Sequence, residues 1–153
     1  SQQQWDDFQR LARQFVSAID DEIGNGRFNL RQGELEVQGS RVPGSTNLPR
    51  PSTHPRGISD IDILLRVDEN TFNALVDDAR QHNPNFPHQM NTDIANGRLG
   101  RFSLGSRWWN PRIHSAFWDE FAKPLDLPFD IQFSIVKEGS TFDNGPFMPI
   151  GGQ

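Results

Sequence analysis

Two aspartates separated by one residue lie inside an alternating apolar segment, residues 58–67. Because successive side chains of a β-strand point to opposite faces, we expect Asp60 and Asp62 on one face and Ile61 and Ile63 on the other. Neighbouring carboxylates repel each other and lose hydration near an apolar core unless a cation compensates them. The pair therefore predicts either a site for a hard divalent cation or, alternatively, an exposed acidic edge strand.

A second alternating segment, residues 129–136, also carries an acid on its polar face. Asp130 shares that face with Gln132, which we expect to line the same pocket. A sheet that brings Asp130 beside Asp60 and Asp62 would gather three carboxylates, a donor set that suits one or two Mg²⁺ or Mn²⁺ ions completed by substrate phosphates. The alternative for Asp130 is a strand-end aspartate in solvent.

A small-residue turn, Gly39-Ser40, directly follows a short alternating segment at residues 34–38. Such a turn offers backbone N–H groups and a hydroxyl to a phosphate without an obstructing side chain. Together with metal-binding carboxylates, it indicates phosphoryl or nucleotidyl transfer.

These segments resemble the signature of the DNA polymerase β-type nucleotidyltransferase superfamily. In that family a helix precedes a strand ending in Gly-Ser, the next strand carries Asp-x-Asp, and a later strand supplies a third acid. Here VQGS at 37–40 and SDIDIL at 59–64 occur in that order, and Asp130 follows. The chain departs from the pattern in its long insertion, residues 41–57, which contains a second Gly44-Ser45.

The resemblance implies a role for each matching residue. Asp60 and Asp62 would hold both metal ions, and Asp130 would complete the second ion and help to deprotonate the acceptor hydroxyl. The residues implied for binding the nucleoside triphosphate (NTP) are Gly39, Ser40 and Arg41. The implied fold is α+β, with helices flanking a small mixed or antiparallel sheet that carries the acids.

The remaining pattern predicts the elements that position these residues. Apolar residues at three- and four-residue steps predict a helix over residues 5–23, ended by Gly24-Asn25-Gly26. Further helices are expected at about 70–82 and from Asn110-Pro111 to Pro124. We expect one domain over residues 1–153, with an insertion loop at 41–57 and a surface tail at 137–153.

Composition limits the possible classes of function. The chain has 153 residues, a net charge of −5, a pI near 5.3 and no cysteine. These values argue against a generally basic nucleic-acid-binding surface and exclude disulfides and thiolate metal sites. We expect no membrane association, because no apolar run reaches the roughly 20 residues of a membrane span.

Arginines form two further candidate groups. Arg41, Arg50 and Arg56 either close over phosphates or merely solubilise the insertion. Four others could bind RNA together with neighbouring aromatic rings, although core packing is the favoured use of Trp108 and Trp109. This second group comprises Arg98, Arg101, Arg107 and Arg112, with Phe102, Trp108 and Trp109. The four histidines, His54, His82, His88 and His114, show no spacing typical of metal ligands.

The first functional hypothesis is a metal-dependent nucleotidyltransferase that moves a nucleoside monophosphate from an NTP to a hydroxyl of RNA or tRNA. In its compact size, its lack of cysteine and its initial Ser1, the chain resembles the toxin domains of large secreted bacterial proteins, some of which are similar to this superfamily. We expect such a domain to act in the target-cell cytoplasm and to have a cognate immunity protein; otherwise we expect a cytoplasmic protein. The alternatives are transfer to a protein or small molecule, a metal-dependent nuclease, and a non-catalytic binding module.

Overall fold

The computed structural model describes residues 2–38, 60–82, 90–100, 113, 115–126 and 130–151, with the backbone alone for Asp60 and Asp130. The helices are α1 (Gln2–Glu22), α2 (Glu69–His82), α3 (Met90–Ala95) and α4, a π-helical stretch (Ala116–Ala122) that continues as α-helix (Lys123–Leu125). The strands are β1 (Glu34–Gln38), β2 (Asp60–Val67), β3 (Arg98–Leu99), β4 (Asp130–Lys137) and β5 (Met148–Pro149). A 3₁₀ turn, Leu30–Gln32, precedes β1.

The five strands form one mixed sheet in the order β3-β4-β2-β1-β5. The central strands β2 and β4 are parallel, and the other neighbouring pairs are antiparallel. A parallel pair needs a crossover connection, and here the chain between β2 and β4 contains α2, α3, β3 and α4. The predicted α+β class with a small mixed sheet is confirmed, whereas its nucleotidyltransferase-like character stays a prediction.

Helix α1 forms where the apolar periodicity predicts it and ends at the predicted turn. The N–H of Gly26 donates to the carbonyl of Asp20 at 2.9 Å, and the N–H of Asn25 donates to that of Asp21 at 3.0 Å. These two bonds, which span six and four residues, end the helix, and Asn25 takes the left-handed conformation with φ of 57°. The chain is thereby turned back toward the sheet.

The core lies between one face of the sheet and helices α1, α2 and α4. At its centre, the ring of Phe15 on α1 stacks on Phe121 with centroids 5.7 Å apart and meets the edge of Phe133 on β4 at 4.9 Å. Phe117 on α4 completes this group at 5.4 Å from Phe15. Aromatic packing thus holds α1 and α4 against β4.

The structure differs from the sequence-based expectation at four places. Helix α3 lies between two predicted helices, where the sequence analysis expected no element, and strand β5 lies in the predicted tail. Helix α4 ends at Leu125 rather than at Pro124, because proline keeps a helical φ and the chain leaves the helix only at Asp126, whose φ is 43°. The tail is not wholly a surface loop, since Ile150 is buried in the core. Among the described helices, none is both long and apolar enough to cross a membrane.

Candidate functional site

The register of the parallel central strands places Asp60 of β2 directly beside Asp130 of β4. Neighbouring strands lie about 4.8 Å apart, so the two backbone positions are close enough for one cation to be shared. Asp62 follows two residues later and therefore lies on the same face of the sheet as Asp60. The backbone positions of the three predicted acids thus lie together at one end of β2 and β4, which we call the acidic edge.

The opposite face of β2 and β4 fixes this arrangement. Its residues alternate with the acids and lie in the core, where Ile63, Leu65, Phe133 and Ile135 are at most 1% exposed. A slip by one residue would expose this apolar set and bury the acidic positions, which makes the register strongly favoured. The apolar pattern of each strand therefore determines on which face its acids lie.

Two carboxamide residues flank Asp62 in the sheet. Gln38, the last residue of β1, pairs with Asp62 on one side, and Gln132 of β4 pairs with it on the other. Asp62 and Gln132 are both half-buried. The side-chain amide of Gln38 donates a hydrogen bond to the carbonyl of Asn144. The pairing with Asp62 puts Gln132 at the acidic edge, and its expected place in a pocket there stays a prediction.

An ion-pair cluster that the sequence did not reveal occupies the far end of the same face. Arg66 of β2 donates from Nε and Nη2 to the two carboxylate oxygens of Asp143, at 2.8 and 2.9 Å. Its Nη1 contacts Glu34 at 2.5 Å and Glu36 at 3.5 Å. The hydrogen bonds that Arg66 donates to Asp143 are the main cause that raises the pKa of Arg66. Arg66 therefore stays charged and fixes the C-terminal segment on the sheet.

Glu36 is the least compensated acid of this cluster. It is 7% exposed, and its Oε2 finds no hydrogen-bond partner among the described residues. Burial raises the pKa of Glu36, and the charge of Arg66 opposes this effect. A local signal for the cluster existed only in the alternation of Glu34 and Glu36, since Asp143 lies 77 residues from Arg66 in the chain.

Several predicted residues lie outside the described part of the chain. These are Gly39, Ser40, Arg41, Arg50, Arg56, Arg101, Phe102, Arg107, Trp108, Trp109, Arg112 and the histidines 54, 88 and 114.

Two members of the weaker groups are described, and both have protein partners. Arg98 donates to Asp93 at 3.0 Å and lies over the ring of Phe142 at 3.9 Å. His82 places its Nδ1 2.9 Å from the carbonyl oxygen of Asp78. These contacts give Arg98 a structural role that the RNA-binding hypothesis did not include.

The donor chemistry of the acidic edge fits a hard divalent cation. Three carboxylates on adjacent strands offer oxygen ligands, which Mg²⁺ and Mn²⁺ prefer. Among side chains that the structure describes, no three His, Asp or Glu residues stand together as a metal-binding group, and the side chains of Asp60 and Asp130 are outside that set. Backbone register is therefore the observation that connects these acids.

Comparison of the chain with protein-family models, with curated proteins and with solved structures finds no match.

Proposed function

We propose that the acidic edge binds Mg²⁺ or Mn²⁺ and that the protein transfers a nucleoside monophosphate from an NTP to a hydroxyl acceptor. The observation that supports this proposal is the register that pairs Asp60 with Asp130 and places Asp62 on the same face. Two further features support it: the opposite face of the strands is apolar, and the Arg66 cluster lies at the other end of the same face, away from the backbone positions of the three acids.

In this proposal each acid has a distinct task. Asp60 and Asp62 would hold the ions, and Asp130 would complete the coordination of the second ion. Asp130 also accepts the proton of the acceptor hydroxyl. The acceptor oxygen then forms a bond to the α-phosphorus while the bond from that phosphorus to the pyrophosphate oxygen breaks. The bound ions supply charge stabilisation for the phosphates and the leaving pyrophosphate. Gly39, Ser40 and Arg41 are proposed to hold the β- and γ-phosphates.

For the acceptor we propose an RNA or tRNA end, modified by a toxin domain that a cognate immunity protein neutralises. A protein hydroxyl and a small molecule are the alternative acceptors for the same chemistry. The sign of the chain's charge, −5 overall, means that an RNA acceptor would have to be bound by a local group of arginines.

The decisive experiment incubates the protein with each radiolabelled NTP, Mg²⁺ and total cellular RNA. We expect label to enter RNA and pyrophosphate to be released. Asp62→Asn, which keeps the side-chain shape but removes the charge, should reduce the rate by roughly 10³-fold or more. The matched control is Asp77→Asn, at an exposed position on α2, which should leave the rate unchanged.

Two other results would change the proposed acceptor or reaction, and a third would refute the proposed site. Label in protein or in a small molecule would retain the transferase and replace the acceptor. Shortened RNA without any NTP would favour the metal-dependent nuclease instead. Equal rates for Asp62→Asn and Asp77→Asn would refute the role of the acidic edge.

One observation favours a non-catalytic binding module as the second candidate. Arg27, Arg31, Arg66 and Arg98 each form an ion pair with an Asp or Glu, so many acids of this chain serve structure. A thermal-shift titration separates the two candidates. Mg²⁺-NTP should stabilise the wild type and not Asp62→Asn if the site binds nucleotide, whereas the binding module predicts no shift for either.

A further inference from the structure

A cleft of about 510 Å³ opens beside α1, on a different part of the molecule from the three acidic positions. Arg10, Arg13, Gln14 and Ser17 line it from α1, where their spacing of three and four residues places them along one stripe of the helix. Arg31 and Gln32 line it from the 3₁₀ turn before β1. Arginine and glutamine nitrogens thus dominate its polar lining, and no acid is among the described residues that line it.

Hydrogen bonds to a buried carboxylate fix the 3₁₀ turn, so that the side of the cleft formed by this turn is preorganised. The carboxylate of Asp20, which is 2% exposed, accepts a hydrogen bond from the N–H of Leu30 at 2.9 Å. The same carboxylate receives Nη1 of Arg31 at 2.9 Å, and Asp21 receives Nη2 at 2.8 Å. Arg31 remains 40% exposed on its side chain, so its fixed guanidinium still reaches the cleft.

Arg13 differs from the other two arginines because it has no acidic partner among the described residues. Its Nη2 donates to the carbonyl of Ile150, and its Nε is buried without a hydrogen-bond partner in that part of the chain. No described acid therefore compensates the charge of Arg13, and an anion bound in the cleft that Arg13 lines would do so. The pair of Arg10 with Asp7 is exposed on both sides and can exchange for a ligand at little cost.

We propose that this cleft binds the phosphate group of a nucleotide-sized ligand through Arg13, Arg10 and Arg31. Guanidinium groups match the geometry of phosphate oxygens through paired N–H donors, and Gln14, Gln32 and Ser17 can hydrogen-bond the rest of the ligand. The volume lies in the range of small-molecule sites and exceeds what one inorganic ion needs. The phosphate belongs either to a free nucleotide or to an RNA strand.

The test titrates the full chain with adenosine monophosphate and, separately, with adenosine, while backbone amide shifts are followed by NMR. EDTA is present and the protein carries Asp62→Asn, so that metal-dependent binding at the acidic edge does not contribute. We expect saturable shifts at residues 10–17 and 30–32 with adenosine monophosphate and none with adenosine. This result is independent of whether the nucleotidyltransferase proposal holds.

Variants identify the arginines that bind. Arg13→Gln and Arg10→Gln should each weaken adenosine monophosphate binding by about tenfold, the effect of one charge-assisted hydrogen bond. Arg10 is exposed, so that variant keeps the test valid even if Arg13→Gln disturbs the contact with Ile150. The control is Arg80→Gln on the exposed surface of α2, which removes one charge elsewhere and should leave the affinity unchanged.

A second arm uses a single-stranded oligoribonucleotide without terminal phosphates. If the phosphate belongs to an RNA strand, the oligoribonucleotide should bind more tightly than adenosine monophosphate. The magnitude of the slope of log binding constant against log salt concentration should then fall by about one in Arg13→Gln. Weaker binding assigns it to a free nucleotide. The proposal is overturned if adenosine and adenosine monophosphate shift the same amides equally, if no saturable shift occurs, or if Arg80→Gln lowers the affinity as much as Arg10→Gln.

Discussion

Arg66 connects strand β2, which carries Asp62, to the C-terminal segment. It lies four residues after Asp62 on the same face of β2, and it holds Asp143, whose side chain is only 3% exposed. A buried carboxylate of this kind depends on its cation, because removing one partner leaves the other charge uncompensated. The Arg66 guanidinium is therefore one of the contacts that attach the C-terminal segment to the sheet, beside the pairing of β5 with β1.

Replacing Asp143 with Asn should destabilise the protein by ~3 kcal/mol, at the lower end for a broken buried pair because Arg66 keeps its contact with Glu34. Urea unfolding measures the change. Asp7→Asn is the matched control, since the pair of Asp7 with Arg10 is exposed and should contribute at most about 1 kcal/mol. Equal losses in the two variants would contradict the structural role of the Arg66 pair.

Glu36 should make stability depend on pH in the direction opposite to most acids. Burial raises its pKa above the ordinary value of 4.5, so the folded state holds the proton more tightly than the unfolded state. The contribution of Glu36 to stability is therefore full below pH 4.5 and is lost as the pH rises through the raised folded pKa. The free energy of unfolding of Glu36→Gln minus that of the wild type should increase across this window.

Urea unfolding of both proteins at several pH values from acid to neutral measures this difference. The control is Glu69→Gln, on the exposed first turn of α2. Its free energy of unfolding minus that of the wild type should not rise with pH as it does for Glu36→Gln. A difference for Glu36→Gln that stays flat or falls with pH would show that Arg66 outweighs burial at this carboxylate.

At the scale of elements, the sequence predicted the parts whose signal is local. Strands β2 and β4 and helix α1 follow from apolar periodicity, and the face on which Asp62 lies follows from the same alternation. Helix α3 has six residues, of which only Met90 and Ile94 pack against the core, and one such pair is too little for periodicity to be recognised. Strand β5 has two residues, which is too short for alternation to be seen.

The candidate site and its surroundings also contain features with a local sequence signal and features without one. The prediction that Asp60, Asp62 and Asp130 come together depends on β2 and β4 being neighbours, and their parallel pairing makes the backbone positions adjacent, while a shared site of the three carboxylates stays a prediction. The pair of Arg66 with Asp143 and the hydrogen bond from Arg13 to Ile150 could not be predicted, because the partners are 77 and 137 residues apart in the chain. Long-range pairing of this kind leaves no local pattern.

The turn between α3 and β3 packs directly against the start of the C-terminal segment. Gly97 has a φ of +86°, and a Cβ at this position would lie 2.2 Å from Cβ of Ser140. Gly97→Ala should therefore destabilise the protein through both backbone strain and steric overlap, by ~2–4 kcal/mol. Gly26→Ala is the control, since Gly26 has a φ of +81° but nothing within 4 Å, and it should cost only about 1 kcal/mol.

Chemical denaturation of the two glycine variants separates the steric contribution from the backbone strain that they share. If both variants lose the same stability, the turn and Ser140 do not pack as closely as the structure has them.

At the scale of the whole molecule, the end of the chain closes the core rather than trailing from it. The N–H of Ile150 donates to the carbonyl of Leu35 at 2.8 Å, and its carbonyl accepts a hydrogen bond from Arg13 of α1. The side chain of Ile150 is 1% exposed and belongs to the same core cluster as Phe15 and Phe133. The C-terminal segment therefore connects β1, α1 and the core.

Because of these contacts, we expect Ile150→Ala to weaken the entire fold and not only its C-terminal end. The cost should be about 2–5 kcal/mol, the range for truncating a buried Ile to Ala. Met148→Ala is the control, because Met148 is half-buried on the edge strand and should cost less. Urea unfolding followed by far-UV circular dichroism and by tryptophan fluorescence should give coincident transitions that shift together in Ile150→Ala. Two separate transitions, or a shift in one signal alone, would mean that the segment folds independently of the helices and that the 153 residues do not unfold as one unit.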